Sequence, residues 1–273
     1  MSPEPAGLHA WTAAVELGAQ GRAAAARCAL AALDADRATA ASIRSLAHST
    51  RASLIRQAGG HAAARAGDGR ACSVAVAATG DPGDPWLDAA WLDGLIGLAA
   101  DNLGLADFAA SARLLDRAAA HAGAAAAAAG SEVDWQTLPR TALRLSWVRS
   151  EWGLYSGDLA VARAAAAASA ELAADLPSPR HRIKTDLIAA AVAAAGGETA
   201  AADRGARAAH ARAGELGLLP LRWAAATLLA GLRSSDQTGE QAVYQGEVTE
   251  LRDRLALRGM PLAPLRPGER HGR

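Results

Sequence analysis

A short turn built on glycine or another small residue recurs along this chain, and each time it separates two stretches that favour helix. The turns stand at Gly21, Gly60, Ala106, Gly157 and Gly197, which are about 40 to 50 residues apart. Glycine ends a helix readily because it adopts the left-handed conformation that closes the last turn. Two helices in a period of this length are typical of an α-solenoid, in which helical hairpins stack on their neighbours.

The composition also favours helices throughout. Hydrophobic residues make up 51% of the chain and aromatic residues only 4%, and alanine supplies much of the apolar fraction. Alanine is the best helix former, whereas the β-branched and aromatic residues that favour strands are scarce. The predicted fold is therefore all-α, a right-handed α-solenoid of about five helical hairpins followed by a terminal helix.

Hydrophobic periodicity and helix breakers place the individual helices. The first helices of the hairpins are expected at residues 7–18, 37–57, 85–102, 138–155, 180–195 and 220–233. The second helices, with the terminal helix last, are expected at residues 22–34, 61–78, 106–122, 158–175, 198–216 and 240–258.

A single domain is expected over residues 1–258. The alanine-rich segment 123–134 either extends a helix or forms a linker, and it is the expected boundary if the solenoid divides into two halves. Residues 259–273 are rich in proline and arginine, and we expect them to form a disordered tail.

Two segments carry a resemblance to a known family. LGAQGRAAAARCALAAL and LYSGDLAVARAAAAASAELA resemble the inner turn and second helix of tetratricopeptide repeats (TPR). The resemblance covers residues 8–233, although the units exceed the family's usual length and alanine or leucine replaces most of its large aromatic residues. The chain is thus similar to the degenerate TPR-like arrays of bacterial regulators. This resemblance implies a protein-interaction scaffold and does not identify a partner.

The sequence lacks the local motifs of common catalytic and cofactor sites. Its seven histidines show no metal-ligand spacing, and we find neither a phosphate-binding loop nor a nucleophile elbow. Cys28 and Cys72 are also far apart, which favours a reducing compartment over a disulfide scaffold. We therefore predict no enzyme activity, no catalytic residue, no metal and no cofactor. An all-helical enzyme built from distant residues is the least favoured alternative.

Charge and hydropathy limit the partners. Lys and Arg number 28 and Asp and Glu also number 28, so the chain is not the globally basic protein that nucleic-acid binding favours. The amino terminus shows no signal-peptide pattern, and the longest apolar runs are too short to span a bilayer. A cytoplasmic protein that binds no membrane is expected.

The strongest candidate binding residues lie on the first helices of two consecutive hairpins. Ser178 and Pro179 are expected to cap and begin the second of these helices. Cations at a helix N-terminus cost a few tenths of a kcal/mol each unless an acid or a bound anion offsets them. Consecutive first helices pack about 10 Å apart, so we predict that these side chains converge on one strip. The candidates are Arg140, Arg144, Trp147, Glu151, Arg180, His181, Arg182 and Lys184.

A second basic stripe follows the first helix of the second hairpin, with Arg44, His48 and Arg51 at spacings of four and three. Two interpretations of the basic residues stay open: they pair with acids such as Asp175 inside the protein, or they bind a carboxylate or phosphate. The predicted function is a non-catalytic scaffold that binds a protein or peptide through the concave first-helix face. The alternative is a regulatory sensor that binds a small anionic ligand.

Overall fold

The computed structural model describes residues 5–78, 85–128, 133–232 and 239–263, and all of their regular structure is helical. The all-α prediction is confirmed. The helices of this described part are α1 Leu8–Ala19, α2 Ala23–Ala35, α3 Ala41–Gln57, α4 His61–Ala77, α5 Pro85–Gly104, α6 Phe108–Ala128, α7 Leu138–Ser156, α8 Leu159–Ala174, α9 Pro179–Ala195, α10 Thr199–Glu215, α11 Leu219–Leu232 and α12 Glu240–Leu257.

The helices begin and end close to their predicted positions, with two exceptions. Helix α3 begins at Ala41 rather than at residue 37, because the Asp36 carboxylate accepts a hydrogen bond from the Ala38 N–H and the Asp36 carbonyl accepts one from the Thr39 N–H. Helix α6 continues to Ala128, so the first part of the alanine-rich segment extends a helix. Residues 129–132 of that segment lie outside the described residues.

The helices pack in chain order, as predicted for a helical solenoid. Each odd-numbered helix packs against the even-numbered helix that follows it, and each even-numbered helix from α2 to α10 packs against the next odd-numbered one. The odd-numbered helices also contact each other in series from α1 to α11. Helix α12, predicted as a terminal helix, pairs with α11 in the same way. First helices therefore line one side of the array.

The two ends of the array meet. Helix α11 contacts α1, and one hydrophobic cluster combines Trp11 and Leu30 from the first hairpin with Leu251 and Leu255 from α12. The first helices also face one another across the interior, since the Arg140 guanidinium of α7 lies 5.4 Å from the ring centroid of Trp11 on α1. The concave face expected of an open solenoid is consequently the inner wall of a closed arrangement, which we call the inner wall.

The segment after α12 fastens the ends together. The Arg258 carbonyl accepts a hydrogen bond of 2.9 Å from the Ala24 N–H, and the Ala263 N–H donates one of 2.8 Å to the Ala58 carbonyl. Met260 and Leu262 are only 1% and 8% exposed. Residues 259–263 are therefore packed rather than disordered, because their apolar side chains enter the core between the ends. The rest of the predicted tail, 264–273, lies outside the described residues.

Glycine allows α4 and α5 to approach closely. A Cβ added at Gly97 would lie 2.3 to 2.4 Å from the carboxyl atoms of Asp68, and one added at Gly94 would lie 2.8 Å from Cys72 Sγ. Contacts this short force either the helices or the side chains apart, because packed interiors contain little free space. The two glycines thus fix how near these helices lie.

The Gly97→Ala variant is expected to lower the free energy of unfolding by about 2 kcal/mol, because the new methyl group overlaps the buried Asp68 carboxyl. The matched control is Gly69→Ala on α4, where an added Cβ meets no atom within 4 Å. That variant is expected to raise the free energy of unfolding by about 0.5 to 1 kcal/mol, because alanine favours helix. Urea unfolding followed by circular dichroism measures both. Equal stability of the two variants would contradict the close contact of α4 and α5.

Candidate functional site

Trp147 joins helices α7 and α9. Its indole N–H donates a hydrogen bond of 2.9 Å to Thr185 Oγ1, and its ring stacks on the His181 imidazole with 5.5 Å between centroids. Lys184 Nζ lies 4.6 Å from the centroid of the Trp147 ring and 3.7 Å from a carboxylate oxygen of Glu151. Trp147 is buried, so it fills the interior between these helices rather than offering an open face. Four of the predicted candidates are thus in one place.

Arg140 and Arg144 share one acidic partner, Asp93 on α5. Arg140 Nη2 lies 2.7 Å from Asp93 Oδ2, and Arg144 forms an ion pair with the other oxygen of the same carboxylate. Burial lowers the pKa of both guanidinium groups to about 10, so both keep their charge at neutral pH. Two cations therefore surround one acid. Asp93 was not among the sequence candidates, and its position in the middle of an apolar helix was the only signal it gave.

Arg180 and Lys184 are less well paired. In the described part of the chain Arg180 has neither a hydrogen bond nor an acid within 4 Å. Glu16 lies farther away, and its negative charge favours the charged form of Arg180. Burial lowers the pKa of Lys184, and the charges of Arg144 and Arg180 lower it further against the opposing effect of Glu151. These cations are therefore near enough to repel one another. We call Arg144, Glu151, Arg180 and Lys184 the α7–α9 site.

The α7–α9 site is reachable from solvent. The side chains of Lys184 and Glu151 are 37% and 33% exposed, and Arg180 is partly exposed. Arg144 is more enclosed, with 19% of its side chain exposed. The charged groups of the site thus differ in exposure, and Lys184 and Glu151 are more open to solvent than Arg144.

His181 is a buried, neutral side chain next to the α7–α9 site. Its Nδ1 lies 2.6 Å from Ser178 Oγ, and its ring meets Trp135 edge-on at 5.6 Å. Burial, helped by the charge of Arg180, lowers the His181 pKa to about 2. His181 therefore adds no positive charge at physiological pH. The prediction that the Ser178 side chain caps α9 is wrong, because the Ser178 hydroxyl bonds to His181 Nδ1 and accepts no backbone N–H group of the first turn.

Arg182 points to a different part of the molecule. Its guanidinium donates a hydrogen bond to the Leu176 carbonyl in the turn between α8 and α9. Asp186, four residues further along α9, pairs with Arg212 of α10 at 2.9 Å. Arg182 thus holds a turn, and it stands apart from the cations at the α7–α9 site.

The second basic stripe lies on α3 and contacts the neighbouring helix α2. His48 Nε2 lies 3.0 Å from Asp34 Oδ1 of α2, and burial lowers the pKa of His48. Arg44 is partly buried on the same helix, and Arg51 is exposed. His48 of this stripe therefore pairs with an acid of α2. Arg144 instead pairs with an acid of α5, and Lys184 with an acid of α7.

A buried acidic cluster lies where α3, α4 and α5 meet. Arg56 Nη1 donates to Asp68 Oδ2 and to Asp101 Oδ1, each at 2.7 Å, and to the Gly97 carbonyl at 2.9 Å. Both carboxyl side chains are completely buried, and burial raises the pKa of Asp68 to about 7 and also raises that of Asp101. The cluster holds three helices together. Because its carboxyl groups are closed to solvent, a substrate could not reach them.

A separate cleft lies between α4, α5 and α6. It has a volume of about 330 Å³ and is lined mainly by apolar side chains, with Cys72 and Trp91 among them. The guanidinium of Arg117 lies 5.4 Å from the Trp91 ring centroid. Burial raises the pKa of the Cys72 thiol to about 11, so the thiolate that nucleophilic chemistry requires is scarce at neutral pH.

The described residues form neither a metal site nor a membrane-spanning helix. Residues 5–78, 85–128, 133–232 and 239–263 contain no group of three His, Cys, Asp or Glu side chains that could hold a metal ion. No helix within those ranges has both the length and the apolar character that a membrane span needs.

Comparison with protein-family models, with curated proteins and with solved structures gives no match. The resemblance to TPR-like arrays therefore stays a prediction from the sequence.

Proposed function

We propose that this protein is a non-catalytic binding protein whose inner wall captures a small anionic ligand at the α7–α9 site. The observation that carries the proposal is the poor pairing of Arg180 and Lys184, which lie close to a third cation, Arg144. Partly buried positive charges that repel one another are unfavourable, and an anion relieves that repulsion when it binds. Anion binding of this kind is the function of a regulatory sensor that responds to an anionic metabolite.

The arrangement favours a small ligand over a protein or peptide. A scaffold of the kind expected from the sequence presents its first helices along an open groove. Here the first and last hairpins are in contact, and Arg140, Trp147 and His181 are buried at 6%, 5% and 3% exposure. A peptide would have to separate packed helices to reach them, whereas a small anion needs only the exposed ends of Lys184 and Arg180.

The proposal is tested by thermal unfolding in a panel of small anions at constant ionic strength, with chloride as the reference. A ligand at about 100 times its Kd adds about 2.7 kcal/mol to the free energy of unfolding, so the midpoint is expected to rise by roughly 5 °C. The Arg180→Gln and Lys184→Gln variants are expected to lose most of this rise. Arg182→Gln is the matched control, because it neutralises a cation of the same helix turn that bonds to Leu176 instead.

The control also separates ligand binding from stability. Arg182→Gln is expected to have a lower midpoint than wild type without ligand and to keep the full anion-dependent rise. A rise that persists in both Arg180→Gln and Lys184→Gln would place the anion elsewhere and refute the proposed site.

A further inference from the structure

We propose that the ligand of the α7–α9 site is a doubly charged tetrahedral oxyanion, with a phosphate group as its chemical class. The proposal rests on the proposed function and adds to it the charge and the shape of the group that is bound. It follows from the balance of charges at the site and from the number of donors that its cations offer.

The charge balance leaves two cations unmatched. Arg140 and Arg144 share one carboxylate, that of Asp93. Lys184 has Glu151 at 3.7 Å, while Arg180 has no acid within ion-pair distance among the described residues. Within ion-pair distance, four positive groups thus stand against two negative ones, and Glu16 acts on Arg180 only from farther away. A monocarboxylate would leave one positive charge unmatched, whereas a dianion neutralises both.

The donors favour a tetrahedral group over a planar one. Arg180 and Lys184 are on α9 and Arg144 is on α7, so two helices supply the three donor side chains. A guanidinium offers parallel N–H donors that bind two oxygens of a phosphate together, and an ammonium binds a further oxygen as a point charge. A phosphate has enough oxygens to meet all three donors, while a carboxylate has only two.

The surrounding groups give the ligand little besides charge. Lys184 lies over the Trp147 ring, and the same indole stacks on His181. A flat organic ring is therefore left without a free face of Trp147 to stack on. Since His181 is also neutral, recognition depends on Arg144, Arg180 and Lys184 and on the anionic group itself.

Isothermal titration calorimetry of the full chain tests the charge. Sulfate is the first probe because it is a tetrahedral dianion whose charge is constant between pH 6 and 8, and acetate is the planar monoanion. At equal ionic strength sulfate is expected to bind at least about tenfold more tightly, since one additional charge-assisted hydrogen bond contributes that much. Acetate binding as tightly as sulfate would overturn this proposal and leave the proposed function standing. An absence of any binding that depends on Arg180 would overturn both.

Charge variants test the balance directly. Glu151→Gln removes one acid and is expected to raise sulfate affinity about threefold, a modest factor because the side chain is partly screened by solvent. Lys184→Gln removes one cation and is expected to lower the affinity about tenfold, while Lys184→Arg restores it. Arg182→Gln is expected to leave the sulfate affinity unchanged. A Glu151→Gln variant that binds sulfate no better than wild type would refute the surplus of positive charge.

Two phosphate probes then distinguish the sources of the group. Inorganic phosphate that binds as tightly as methyl phosphate identifies a free ion as the ligand, and tighter binding of methyl phosphate identifies an ester. Either result supports the doubly charged oxyanion. Failure of both to bind where acetate does would reject it.

Discussion

The double variant Met260→Ala/Leu262→Ala is expected to lose about 5 kcal/mol of the free energy of unfolding. Both side chains are buried between the first and last hairpins, and removing a buried Met or Leu side chain costs about 2 to 5 kcal/mol each. Because this is comparable with the total stability of many domains, the ends are expected to separate or the protein to unfold. Chemical denaturation measures the loss, and amide hydrogen exchange in α1, α2 and α12 shows whether the ends open first.

The control for this variant is Leu257→Ala, three residues before Met260. Leu257 is 89% exposed, so its truncation is expected to change the free energy of unfolding by no more than about 0.5 kcal/mol. If the double variant were as stable as Leu257→Ala, the segment after α12 would not hold the ends of the array together.

Two buried groups are expected to give the protein opposing pH dependences. The pKa of His181 is lowered to about 2, so the unfolded chain binds a proton below pH 6.5 that the folded protein does not bind. Stability from this group is lost as the pH falls. The pKa of Asp68 is raised to about 7, so the folded protein keeps a proton that the unfolded chain releases above about pH 4. Stability from that group is lost as the pH rises toward 7.

The two effects are expected to offset each other in the wild type between pH 4 and 6.5, and single variants reveal them. Relative to wild type, Asp68→Asn is expected to lose roughly 3 kcal/mol of stability as the pH falls across this window. His181→Asn is expected to gain a similar amount over the same range. Denaturant unfolding at a series of pH values measures both slopes. Parallel curves for the two variants would show that neither group has the shifted pKa that its burial implies.

The strip between α7 and α9 was predictable because it depends on chain order. Consecutive first helices of a solenoid are neighbours, so residues on matching faces of the two helices meet, as Trp147 and Lys184 do. The acid that pairs with Arg144 was not predictable. Asp93 is 51 residues away in sequence, and its position opposite Arg144 depends on how far α5 slides along α7. Only side-chain packing sets that offset.

Arg182 illustrates the same limit within a single turn of helix. The sequence places it among four basic residues, yet its guanidinium bonds to the Leu176 carbonyl, and His181 in the same run is neutral because it is buried. Sequence spacing tells which face a residue occupies. Whether that face meets solvent, an acid or an aromatic ring depends on the neighbouring helices.

The sequence by itself determined the helices, most of their ends and their pairing in chain order. These features follow from local causes, namely alanine's helix propensity, the glycines that close turns and the apolar period of each helix. Only the tertiary structure decided that the ends meet and that the first-helix face becomes an inner wall. Small rotations between successive hairpins add up along the array, and no local pattern encodes their sum. Burial of Met260 and Leu262 between the first and last hairpins fixes that sum.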